Sequence, residues 1–143
     1  MGAALLLIFG LAVANAWRKQ RQVRTLTADI RSTYNLPAQD VLSPISTLDE
    51  VVPDGLSPQQ VVRRLHPLRN RVVSERWVAG EDVDKRPFHA HIIELRVGSG
   101  GAYEVAFVYR NGALWDIDSP EYLGSVSDLP ADSQPARVGS GIP

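Results

Sequence analysis

The chain contains no cysteine, which excludes disulfides, thiolate metal sites, iron–sulfur clusters and cysteine nucleophiles together. It also lacks an excess of charge of either sign. A formal net charge of -1 and a pI of ≈ 6.3 withhold the basic footprint that a dedicated nucleic-acid binder needs to neutralise phosphates. The local signatures of the commoner enzyme classes are missing as well. There is no nucleophile elbow and no dinucleotide fingerprint, and Gly98-Ser99-Gly100-Gly101 joins two strand patterns where phosphate cradling wants a following helix. No enzymatic activity, no cofactor, no small-molecule substrate and no nucleic acid are therefore expected.

Residues 2–17 lack any ionisable side chain, Asn15 is their only strongly polar residue, and charge begins abruptly at Arg18. Such a run reads as a membrane segment. As a helix it rises ~24 Å, short of a ~30 Å hydrocarbon core, so crossing needs Trp17 at the interface, snorkelling arginines or a locally thinned bilayer. Three readings are open: an uncleaved anchor, a signal peptide cleaved after Ala14-Asn15-Ala16, and an interfacial or protein-buried helix. The first is preferred, because no Lys or Arg precedes the apolar run while a basic cluster follows it. The same charge asymmetry places the C-terminal domain on the cytoplasmic, positive side of a single-pass membrane protein. Leu6 stands where a myristoylation motif wants Ser or Thr.

Local charge is uneven. Residues 18–36 carry Arg18, Lys19, Arg21, Arg24 and Arg31 against Asp29 alone, and residues 36–56 carry acids without a base. Val23, Leu26, Ile30 and Tyr34 recur at three-to-four-residue spacing, which predicts an amphipathic stalk helix continuing the anchor. Trp17, Arg18, Lys19, Arg21 and Arg24 would lie at the membrane interface, where anionic lipid headgroups are candidate partners. The stripe Val23, Leu26, Ile30 and Tyr34 would either face a partner or pack on its own domain.

The expected organisation is an anchor over 1–17, a basic stalk over 18–36, a Pro-rich extended linker over 37–55, a small α+β domain over 56–128 and a disordered tail over 129–143. Ser57, Pro58 and Gln60 spell an N-cap, a first-turn proline and a capping box, so a helix starts there and ends near His66-Pro67. Residues 71–78 read as a strand. Residues 89–97 alternate, with His89, His91, Ile93, Leu95 and Val97 on one face, and a second alternating run holds Tyr103, Val105, Phe107 and Tyr109. Asn111-Gly112 signals a tight hairpin into a last strand over 113–117. The predicted domain is one helix on the apolar face of an antiparallel meander of about four strands, with its other face solvated.

His89-x-His91 is the constellation a metal could use, since alternate strand positions point both imidazoles to one side. Glu94 falls on the opposite face, and two rim histidines bonded to backbone or water explain the pattern without a metal. The acidic run Glu81-Asp82-Val83-Asp84 lacks the ligand alternation of a calcium loop and reads as a solvated turn. Arg63, Arg64, Arg69, Arg71 and Arg76 lack the aromatic stacking platform of a single-strand binder, and Trp77 and Trp115 are core or interface anchors. The reading that follows is an accessory or assembly subunit of a larger membrane complex, acting through protein–protein contacts with its other subunits. Its alternatives are a membrane-tethered metal-binding or hydrolytic domain using His89 and His91, and an exported domain freed by cleavage.

Overall fold

The computed structural model describes residues 2–40, 43–98 and 100–139. Helix α1 runs unbroken over Gly2–Thr33, joining the apolar opening to the predicted stalk. It ends in a Schellman motif: Asn35 takes a left-handed conformation (φ 55), Leu36 N–H donates to the Arg31 carbonyl and Asn35 N–H to that of Ser32. Among the described residues no helix is long and apolar enough to cross a membrane, so the spanning anchor expected over 1–17 has no support here. α1 has the length, but it turns from apolar to charged at Arg18.

The linker expected over 37–55 contains a helix. Pro44–Val51 forms α2, with Ser43 and Ser46 making a reciprocal capping box and Pro44 in the first turn. Ser43-Pro44-Ile45-Ser46 thus repeats the logic of Ser57-Pro58-Gln59-Gln60, which opens α3 over Pro58–Leu65 as expected. The proline-spaced composition concealed it, because Pro44 sits where a missing N–H costs a helix nothing. After α3 the chain continues as a 3-10 turn over His66–Arg71 that buries Leu68.

The sheet has five strands rather than four: β1 (Val72–Glu81), β2 (Pro87–Val97), β3 (Gly101–Arg110), β4 (Ala113–Asp118) and β5 (Val126–Asp128). Their order is β4-β3-β2-β1-β5, with every neighbouring pair antiparallel. The architecture is α+β. Leu26 and Ile30 of α1, Leu48 of α2 and Val61 and Leu65 of α3 cover one face, meeting Trp77, Ile93, Val105 and Phe107. Each such side chain contributes ~1.5–3 kcal/mol by leaving water.

The opposite face is not solvated along its centre. Val78, Phe88, Ala90, Ile92, Ala106 and Val108 are buried there, with Leu123 packed against them. Topology explains this. β4 and β5 lie at opposite edges, so residues 119–125 must cross the sheet as a strap, and they cover this second core. The strap passes so close to β1 that a Cβ on Gly80 would stand 3.1 Å from the Ser125 carbonyl oxygen and 2.7 Å from Phe88 Cζ. The β4 edge is paired at Leu114 by the backbone of Gly55 and Leu56.

Candidate functional site

Two places on the molecule depart from what a small, self-contained domain requires: the front of α1 and the seat of the C-terminal segment. The first is set by the helix geometry. Residues 7–21 are all exposed, and Leu7, Phe9 and Trp17 keep 68%, 69% and 68% of their surface in contact with solvent. Gln22 lies beside the glycines that join β2 to β3. Large apolar side chains therefore ring the exposed front of the helix, followed by the exposed Arg18, Lys19, Arg21 and Arg24.

The second half of α1 behaves differently. Leu26 and Ile30 are fully buried and Tyr34 half-buried against the domain itself, with Val23 half-buried at the stripe's front, so the centre of the stripe offered as a partner face is internal. Tyr34 donates its hydroxyl to the Arg64 carbonyl, and burial pushes that phenol well above its ordinary range. Arg31 is no surface base either. Its guanidinium is buried, held by the Pro37 carbonyl and Glu50, while Asp29 pairs with Arg71. Ion pairs thus pin α1 to α2 and to the 3-10 turn, leaving its front half projecting.

The second place is a buried carboxylate. Period two along β1 puts Glu75 on the same face as Trp77, inside the helix-covered core, where an ionised carboxylate needs hydrogen-bond donors. It has three. His91 Nε2 approaches Glu75 Oε1 at 2.8 Å, and the backbone N–H groups of Val138 and Gly139 donate to the same carboxylate. His91 stacks on Trp77 with ring centroids 4.5 Å apart, and Trp77 Nε1 donates to the Ala136 carbonyl. Gln59 Nε2 donates to Pro135, and the Val138 side chain is buried among Leu48, Leu68 and Phe107. The tail expected to be disordered over 129–143 is therefore a strap through Gly139, and residues 140–143 lie outside the described residues.

Desolvation pushes the Glu75 carboxyl up, but the hydrogen bonds from His91, Val138 and Gly139 outweigh it and hold it below the usual carboxylate range. Burial pushes His91 down against the pull of Glu75. The pair rests as a carboxylate beside a neutral imidazole, with Nε2–H donating and Nδ1 left as a buried, unpartnered acceptor. With 0% of the His91 side chain exposed, no substrate reaches this imidazole. The cluster ties residues 136–139 to β1.

Comparison with protein-family models, with curated proteins and with solved structures returns no match. The site residues stand on their own geometry. His89 and His91 share a face but not a fate: His89 is exposed at the rim, and His91 is committed to Glu75. Among the described residues no group of three or more His, Asp or Glu is arranged to hold a metal ion. Asp82 closes the β1–β2 turn by accepting the N–H groups of Asp84 and Arg86, and it also pairs with Arg110. These bonds, that to Arg86 first, hold its carboxyl below the usual range. Trp77, offered as a partner contact, is a core residue, whereas Trp115 is 56% exposed beneath the Arg110 guanidinium. Glu75 went unnoticed in the sequence, although a lone carboxylate two positions before a core tryptophan is a signal that donors must come from elsewhere.

Proposed function

We propose that this protein is a membrane-associated accessory or assembly subunit that works through protein–protein contacts, with the front half of α1 as its attachment element. The observation that carries this reading is the ring of exposed large apolar side chains from Leu7 to Trp17 on a helix whose second half is fastened to the domain. A helix apolar all round is normally covered by a membrane or by protein. Its ~24 Å of apolar length falls short of a ~30 Å core, and a short helix is better accommodated among other helices, which favours a subunit over an isolated anchor. The basic residues after Trp17 favour the cytoplasmic side for the domain.

The test is gentle solubilisation of the full chain from its native membrane. The protein is expected in the membrane fraction and, in mild detergent, in an assembly larger than itself; a Leu7→Gln, Phe9→Gln, Leu11→Gln variant is expected to leave both while keeping its circular dichroism. A wild-type chain that fractionates as a detergent-independent monomer overturns the proposal.

A further inference from the structure

Arg18, Lys19, Arg21 and Arg24 are exposed, and none of them makes an ion pair among the described residues, in contrast to Arg31, Arg71 and Arg110. A helix turns about 100° per residue, so these four bases stand at about 0°, 100°, 300° and 240° around the axis. They form a collar, not a stripe. A groove on a protein partner reads one face of a helix, whereas a plane of headgroups surrounds it. The collar's height fits the same occupant: from residue 18 to residue 24 the axis rises ~9 Å, against ~5–8 Å for the polar zone of one leaflet. Below the collar the encircling side chains are apolar, with Trp17 at the boundary where amphipathic rings settle. The domain begins within the collar's height, because Gln22, between Arg21 and Arg24, already lies against the β2–β3 connection.

On the strength of the membrane reading above, we propose that this collar is a binding surface for anionic phospholipid headgroups, with the domain seated directly on the leaflet. The chemistry is contact of guanidinium and ammonium groups with headgroup phosphates, arranged radially about α1.

Co-sedimentation of the purified full chain with vesicles tests it, comparing phosphatidylcholine alone with phosphatidylcholine containing phosphatidylglycerol. Partitioning is expected to favour the anionic vesicles, to weaken as salt rises above ~0.1 M, and to fall roughly fivefold for each base replaced in the series Arg18→Gln, Lys19→Gln, Arg21→Gln, Arg24→Gln. All four side chains are exposed, so the variants keep the folded domain as an internal control. Equal binding to both vesicle types, or anionic binding indifferent to salt and to the four substitutions, overturns the collar and leaves the membrane reading standing. No binding to either, with self-association through the apolar half instead, assigns that surface to a second copy and overturns both.

Discussion

The Glu75 carboxylate and the Val138 backbone N–H, 63 positions apart in sequence, meet at 2.7 Å. That contact closes the molecule. It brings an aliphatic side chain into the core between α2 and the sheet, and it gives a buried negative charge one of its three donors.

Replacing Glu75 by Ala strips the acceptor from His91 Nε2 and from two backbone N–H groups at once. Loss of a buried charged acceptor is expected to cost ~3 kcal/mol, read in urea unfolding. Amide exchange at Val138 and Gly139 is expected to accelerate well before that of β2 and β3. Unchanged protection at those two amides would refute the role of Glu75 in holding Val138 and Gly139.

Stability is expected to fall on acidification in two steps. His91 has a folded pKa below its unfolded value of ~6.5, so between the two the unfolded chain binds more protons, and stability is lost as pH drops below ~6.5. Glu75 is also depressed, so its contribution holds above the unfolded value of ~4.3 and disappears as pH falls through its folded pKa. Asp49 acts in the opposite sense. Burial first, then Asp116, Asp54 and Asp118, raise its pKa, so acid relieves rather than costs there, and Asp49→Asn is expected to stabilise by ~0.2–1 kcal/mol at neutral pH. Denaturant midpoints measured across pH for wild type and His91→Asn separate the steps; survival of the upper step in the variant would assign it elsewhere.

Ser43→Ala is expected to cost ~1 kcal/mol, about as much as Ser57→Ala, because both serines close capping boxes on helices that bury core residues. Thermal melts of the two variants make the comparison. A silent Ser43→Ala beside a costly Ser57→Ala would mean that α2 contributes little as a helix.

Gly80→Ala is expected to destabilise by ~1–3 kcal/mol through overpacking, since its Cβ meets Phe88 and the strap backbone. The damage should be local, raising exchange in β5 before β2. Equal loosening of the whole sheet would instead indicate a fault in β1 itself.

How much was legible in the sequence depended on the range of the interaction. The α3 start was readable because Ser57, Pro58 and Gln60 are neighbours whose bonds close within one turn. The same grammar is present at Ser43, but Pro37, Pro44 and Pro53 give that segment the composition of an extended linker. The faces of β2 and β3 followed from alternation, and His91 and Phe107 do face the same core. The second core could not be read, because Ala90, Ile92 and Ala106 are buried by a strap whose path depends on where β5 pairs.

The sequence by itself determined the helix caps, the hairpin at Asn111-Gly112, the strand alternation and the change from apolar to basic at Arg18, all of which depend on residues within a turn or a strand of each other. Tertiary structure alone decided that Arg31 is internal, that Leu26 and Ile30 serve the domain's own core, and that residues 136–139 are tied down. Each of those outcomes needs a partner dozens of positions away, and no local pattern encodes which donor will find a buried carboxylate.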